Sequence, residues 1–452
     1  MNYKPHPYQQ YAIDFITTHP IAALFLNCGY GKTSIVLSAV KKLMYEQFEI
    51  QKVLVVAPLR VANNTWPSEI EHWTEMSDLR YSVVTGTEAQ RKAALQKDAD
   101  IFLVNRENVP WLVERSGYRF DFDMLVVDEL SSFKNWQSKR FRALMKVRPK
   151  VRRVVALTGT PSSNGLMDLY AEFRILDMGQ RLGRFIGQYR SAFFKPDKRN
   201  GNVVYSYVPL PGAEEEIYRR ISDITISMKG GVDLRMPEKI VTDYEVEMSP
   251  EEKAMYDELK NGLVLDLPEG EVTAANAAVL SGKLLQLSSG CIYTDDGETV
   301  EIHQRKLDAM EDIVEAMQGR PLLLCYWFRH ELTRIEKRLS EIGAVFERLD
   351  TEESICRWNE GKIQVGLAHC GAVGHGLNLQ HGSDTICWMT PVWSLELYQQ
   401  MNARLYRQGQ KSETVVIIRL VTKGTIDSRV LKALEVKDRT QEALIEAVRA
   451  EL

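Results

Sequence analysis

Five short apolar runs in the first third of the chain, at residues 21–26, 53–57, 101–104, 124–127 and 154–157, alternate with stretches of helical periodicity such as 34–48 and 67–75. Strands that are apolar along their whole length must be covered on both faces. A chain that alternates them with amphipathic helices is therefore expected to form a parallel sheet flanked by helices. The same texture returns at 322–326, 344–349, 365–368, 385–389 and 415–420. From about residue 177 aromatic and basic residues cluster, as in Arg184-Phe185-Ile186-Gly187-Gln188-Tyr189-Arg190 and Phe193-Phe194-Lys195. Asn200-Gly201 predicts a hairpin turn, and 250–263 and 274–287 read as helices. The expected fold is α/β, with two parallel-sheet lobes (1–176 and 301–424), a mostly helical insertion (177–300) between them and an amphipathic helical tail (425–452).

Ligands of such sheets bind at the carboxyl ends of the strands. Asn27-Cys28-Gly29-Tyr30-Gly31-Lys32-Thr33 lies there after the first strand, and Asp128-Glu129 after the fourth. A glycine-rich turn lets backbone N–H groups approach a phosphate, Lys32 neutralises its charge, and the Thr33 hydroxyl can ligate Mg²⁺. Asp128 would hold the same ion, and Glu129 could orient an attacking water. The loop is a relaxed match, because the full pattern has glycine where Leu26 stands. Thr158-Gly159-Thr160-Pro161 follows the fifth strand and by itself reads as a hydroxyl-capped turn. Near the other end, Gln400-Met401-Asn402-Ala403-Arg404-Leu405-Tyr406-Arg407-Gln408-Gly409-Gln410 sets two arginines three apart. On a helix they would share a face and could serve one phosphoryl group.

Bulk properties restrict the partners. No apolar run approaches the roughly 18 residues of a membrane span, and the start of the chain lacks the apolar core of an export signal. The six cysteines never form C-x-x-C, so free thiols in a reducing cytoplasm are expected. His369, Cys370, His375, His381 and Cys387 lack the short-spaced ligand pairs of a zinc site. With a net charge of −4, any contact with nucleic acid must be local. The run from Lys139 to Arg153 is densely basic and contains no acid. It reads either as a solvated helix face or as a surface that tracks phosphates with strong salt dependence. Trp327 and Trp393 are candidates for nucleic-acid contact.

A family resemblance covers nearly the whole chain. Pro7-Tyr8-Gln9, Ala57-Pro58 with Trp66, Asp128-Glu129-Leu130-Ser131 trailed by Phe133-Lys134-Asn135 and Ser138-Lys139, and Met236-Pro237-Glu238-Lys239 occur in family order. So do His369-Cys370-Gly371-Ala372-Val373-Gly374-His375-Gly376-Leu377-Asn378-Leu379 and Gln400…Arg404…Arg407-Gln408-Gly409-Gln410. Together they resemble the Swi/Snf-type DNA translocases of helicase superfamily two, in a minimal bacterial or phage-like form. Leu130-Ser131 stand where that family commonly has Ala-His or Ser-His, and Asp350-Thr351 replace an Asp-Gly.

The resemblance implies two RecA-like lobes with ATP and Mg²⁺ in the cleft between them. Tyr8, Gln9, Gly29, Tyr30, Gly31, Lys32, Thr33 and Gly376 would bind the nucleotide. Thr33 and Asp128 would hold the metal, and Lys32, Asp128, Glu129, Arg404 and Arg407 would carry catalysis. Thr158, Gly159 and Thr160 would couple the phosphate site to movement, and Lys134, Ser138, Lys139 and Asn378 would contact DNA. The implied activity is a DNA-stimulated ATPase tracking along double-stranded DNA, as a monomer or assembled on DNA, with replication or recombination proteins as partners. A strand-separating helicase is the alternative.

Overall fold

The structure, a computed structural model, describes residues 2–26, 29–163, 165–197, 199–200, 203–204, 206–227, 236–267, 270–373 and 378–449. The chain forms two compact units, Met1–Leu234 with Lys437–Leu452, and Arg235–Val436. The stretch 177–300 is thereby shared between both units. It carries helices but also short antiparallel hairpins, Phe194–Pro196 with Tyr207–Pro209, Val264–Leu267 with Gly270–Thr273, and Cys291–Tyr293 with Thr299–Glu301. Asn200 ends a two-residue strand paired with Val203–Val204, as the turn signal predicts, and Gly201 lies outside the described residues.

The first unit is built on a seven-stranded, all-parallel sheet in the order Thr225–Ser227, Ile21–Phe25, Arg153–Thr158, Met124–Asp128, Val53–Ala57, Ile101–Asn105, Tyr81–Val84. Alternate residues of one strand enter different cores. Leu54 and Val56 pack with Phe102, Val104, Leu125 and Val127 on one face. Val53 and Val55 pack with Leu24, Ile101, Leu103 and Val126 on the other. Burial on both faces is why these strands read as unbroken apolar runs rather than alternating ones.

The second unit repeats the plan with six parallel strands, Glu238–Val246, Thr414–Thr422, Thr385–Trp388, Leu322–Tyr326, Val365–His369 and Phe346–Arg348. Two parallel-sheet lobes are thus present, as expected. Three strands of these two parallel sheets were not expected. Tyr81–Val84 is a half-buried edge, Thr225–Ser227 has only three residues, and Glu238–Val246 is exposed along all but its last residue. Each lacks the long apolar run that marks a central strand. Among the described residues no helix is long and apolar enough to cross a membrane.

The final helix, Ile426–Ala447, begins in the second unit, where Val430, Leu431 and Leu434 pack on Tyr256 and Leu287. From Lys437 onward the chain counts with the first unit, where Leu444 and Val448 are core residues.

Candidate functional site

The strand Ile21–Phe25 leads into the glycine loop, of which Asn27 and Cys28 lie outside the described residues. Gly29 and Gly31 both have left-handed φ, 88° and 70°. A side chain at Gly31 would be strained and crowded, since its Cβ would stand 2.4 Å from Gln9 Nε2 and 3.0 Å from Ser34 Oγ. Gly31 caps the helix Lys32–Lys41, whose first turn holds no acid. The positive pole of that helix is therefore not offset by an acid of its own first turn. Lys32 Nζ donates to the Leu26 carbonyl at 2.8 Å, folded over the loop. Tyr8 Oη and Gln9 Nε2 both donate to the Tyr30 carbonyl, at 3.2 and 3.4 Å. Gln9 Oε1 accepts from His6 N at 2.9 Å, so both ends of the Gln9 amide are held. Burial pushes the Tyr8 hydroxyl up to about 12, keeping it a neutral donor.

Asp128 closes the strand Met124–Asp128, which lies one strand away from the loop strand. Burial pushes its carboxyl upward, and the Trp66 indole and the Lys32 ammonium oppose that shift. The indole N–H of fully buried Trp66 donates to Asp128 Oδ2 at 2.9 Å. Glu129 adopts a left-handed backbone, φ 65°, rare for a residue with a side chain. That turn presents its Oε1 to two hydroxyls, Ser131 Oγ at 2.9 Å and Thr158 Oγ1 at 3.3 Å. Thr158 in turn accepts from Thr160 N at 3.0 Å. Glu129 of the acidic pair and the Thr158-Gly159-Thr160 segment are therefore joined by hydrogen bonds, with the Ser131 hydroxyl on the same carboxylate oxygen.

Other expected residues of this unit divide. Lys134 Nζ donates to Ser163 Oγ at 2.8 Å, just beyond the Thr158–Thr160 segment. Ser138 is the N-cap of the helix Lys139–Val147, accepting from Phe141 N at 3.3 Å, and Lys139 is exposed in its first turn. The basic run is not one surface. Arg148 is buried and donates to the Val151 carbonyl and to those of Ile175 and Leu176, at the end of the helix Leu169–Asp177. Arg153 donates to the Ile16 and Thr17 carbonyls at 2.7 and 2.8 Å and pairs with Glu49 at 2.6 Å. Lys146 pairs with Glu114 and Arg152 with Asp123. Some of its cations cap helix ends, which neither reading of the run anticipated, while Lys139, Arg142 and Lys150 remain exposed.

In the second unit the helix Leu395–Asn402 stops before the two arginines. They stand on successive turns, not on one helical face as the spacing implies. The helix ends where Asn402 Oδ1 accepts the Trp388 indole N–H at 2.9 Å. Arg404 is buried with Nε donating to the Gln400 carbonyl at 3.1 Å. Arg407 Nη1 donates to Asn378 Oδ1 at 2.8 Å, and Asn359 Nδ2 holds the Asn378 carbonyl at 2.8 Å. Asn378 and Arg407, expected in different roles, are thus direct partners. Gly376 lies outside the described residues. Trp327 stacks on His369 with ring centres 5.5 Å apart, and Trp393 is exposed.

A glycine loop and an acidic pair at the carboxyl ends of one parallel sheet, with a second parallel sheet in the same chain, define the class of helicase-like P-loop ATPases. The SNF2-related domain matches residues 22–294, and the chain belongs to that family. It is 35% identical over 459 residues to protein p41 of Acyrthosiphon pisum secondary endosymbiont phage 1, with 99% of each chain covered. It is 25% identical over 437 residues to an uncharacterized ATP-dependent helicase of Mycoplasma genitalium, covering 93% of this chain and 40% of that one. Among solved structures it is similar to the Sulfolobus solfataricus SWI2/SNF2 ATPase core in complex with dsDNA, at 20% identity and a TM-score of 0.47, over 100% of this chain and 98% of that one.

Proposed function

We propose that the chain hydrolyses ATP with Mg²⁺, is stimulated by DNA, and converts hydrolysis into movement along double-stranded DNA. The observation that carries this reading is the shared Glu129 carboxylate, which accepts from Ser131 and from Thr158 at once. The acid read as orienting water is thereby wired to the segment expected to couple the phosphate site to movement.

Lys32 leaves the Leu26 carbonyl to meet the β- and γ-phosphates, and the N–H groups of Gly29 to Thr33 cradle them. Tyr8 and Gln9 hold the loop through Tyr30 and face the base side. The hydroxyl of Thr33 and the carboxylate of Asp128 are hard oxygen donors that suit Mg²⁺. Gly31, where a Cβ would collide with Gln9 and Ser34, keeps the loop free of a side chain at the start of the helix that carries Thr33. The chemistry that the ion supplies when bound is neutralisation of phosphate charge. Glu129 orients the attacking water, while Arg404 and Arg407 offer cations to the transferring phosphoryl group. Exposed Lys139, the helix start at Ser138, Lys134 and Asn378 contribute phosphate contacts that carry no base information.

Turnover with and without duplex DNA tests this. Lys32→Ala is expected to lose nucleotide binding, and Glu129→Gln to keep binding while losing turnover. The wild-type chain is expected to displace the third strand of a triplex and to leave a blunt duplex paired. Wild-type turnover by Glu129→Gln would remove the assignment of the acid. Separation of a forked duplex would instead identify a strand-separating helicase.

A further inference from the structure

The Thr158-Gly159-Thr160 segment is held from a side that no motif announces. Gln441, on the last helix and 2% exposed, donates from Nε2 to the Gly159 carbonyl at 3.3 Å. That carbonyl and the Thr160 N–H belong to one peptide unit, which is planar and trans, so they point in opposite directions. The N–H side donates to Thr158 Oγ1 at 3.0 Å. Having accepted there, the Thr158 hydroxyl turns its own proton toward Glu129 Oε1, 3.3 Å away. The result is an unbroken file: Gln441 amide, Gly159–Thr160 peptide, Thr158 hydroxyl, Glu129 carboxylate. In a file of this kind, buried up to the Thr158 hydroxyl, each hydrogen bond polarises the next, and each fixes the orientation of its successor.

Gln441 itself is held firmly. Beyond it Leu444 and Val448 enter the first unit's core. Ser227 N donates to the Val448 carbonyl at 2.9 Å, Ser227 Oγ donates to the Ile445 carbonyl, and Ser227 forms a parallel bridge with Arg449. The strand Thr225–Ser227 lies beside the loop strand Ile21–Phe25, whose other neighbour is Arg153–Thr158. The end of the chain is thus fastened to one neighbour of the loop strand and hydrogen-bonded to the turn that follows the other.

We propose that Gln441 is a positioning residue for ATP hydrolysis, setting the Gly159–Thr160 peptide so that Thr158 aims the Glu129 carboxylate at the attacking water. This rests on the function proposed above. Gln441 touches neither nucleotide nor water. Its effect falls on the rate of the chemical step and not on nucleotide affinity, because the loop residues that bind phosphate are not in the file.

The test uses the full chain carrying Gln441→Met, which keeps length and volume but has no donor, together with Thr158→Val and the double variant. Losing one neutral hydrogen bond of about 1 kcal/mol corresponds to about fivefold in rate. Gln441→Met is therefore expected to lower kcat about fivefold with KM for ATP unchanged. The double variant is expected to be no slower than Thr158→Val alone, since both interrupt one file. Amide exchange of the peptide containing Thr160 is expected to quicken in Gln441→Met. Gln441→Glu, which sets an acceptor against the carbonyl, is expected to lose more. An unchanged kcat, a matching rise in KM, or losses that multiply in the double variant would each overturn the proposal. If the wild-type chain shows no ATPase activity, the functional reading fails separately. Amide exchange then decides the file alone, faster exchange supporting it and unchanged exchange overturning it.

Discussion

Trp66 shows how one side chain sets the chemistry of another. Its indole N–H occupies one oxygen of Asp128 and supports the ionised carboxylate against the burial that would neutralise it. At two histidines burial again has the largest effect, and there it removes the charge. His303 is pushed down to about 4 and His330 to about 3, desolvation being the largest cause for each. Both are neutral in the folded chain at ordinary pH, whereas in the unfolded chain they titrate near 6.5. Below that value the unfolded chain binds more protons. Their contribution is therefore complete above pH 6.5 and is lost as the pH falls through about 4 for His303 and about 3 for His330. His330 stacks on Phe328 at 5.1 Å and meets Tyr293 edge-on at 5.3 Å, so phenylalanine can take its place in shape. Denaturant midpoints measured between pH 4 and 7 are expected to depend less steeply on pH in His330→Phe than in the wild-type chain. An unchanged slope would mean that this ring is not held neutral.

At the scale of elements, helix ends decide what the basic run does. The last carbonyls of a helix have no partners within it. Arg148 supplies donors to the end of Leu169–Asp177, and Arg153 to the end of Pro7–Thr18. Burial brings Arg148 down to about 10, still charged at neutral pH. Arg148→Met is expected to cost about 2–3 kcal/mol in urea unfolding, because charge-assisted bonds to buried carbonyls are lost. It should leave the salt dependence of DNA binding unchanged. Lys139→Ala is expected to do the reverse, with stability within about 0.5 kcal/mol and a salt slope smaller by about 1. The arginines and lysines of this run look alike in sequence. Which of them meets a carbonyl depends on helices that begin far away in the chain.

At the scale of the whole molecule, the last helix starts on a buried ion pair. Lys306 Nζ lies 2.7 Å from Asp427 Oδ2, both side chains being fully buried. Ser288 Oγ and Thr422 N also donate to the Asp427 carboxylate, at 2.7 and 2.9 Å. Breaking such a pair leaves a buried charge alone and costs about 3–5 kcal/mol, whereas removing both charges costs far less. Lys306→Met is expected to destabilise the second unit by that amount, and Lys306→Met with Asp427→Leu to recover most of it. Unfolding in urea followed by tryptophan fluorescence reads this, since Trp358 and Trp388 are buried there. A loss in the double variant equal to the sum of the two single-variant losses would show that the pair is not a coupled unit.

The central strands of both sheets, the glycine loop and the Asp128-Glu129 pair were legible in the sequence. Each depends on residues close together in the chain: a strand covered on both faces must be apolar throughout, and a turn with left-handed φ at Gly29 and Gly31 favours glycine. The edge strands Tyr81–Val84 and Glu238–Val246 were not legible, because solvent on an edge relaxes that demand. Nor were the contacts of Trp66 with Asp128, Arg407 with Asn378 and Gln441 with Gly159. Those pairs join residues tens to hundreds of positions apart, and no local pattern requires either member. Sequence determined which groups the chain possesses and where the central strands run. Packing alone decided which of those groups meet, because a hydrogen bond between distant residues forms only where the folded sheets and helices bring donor and acceptor within reach.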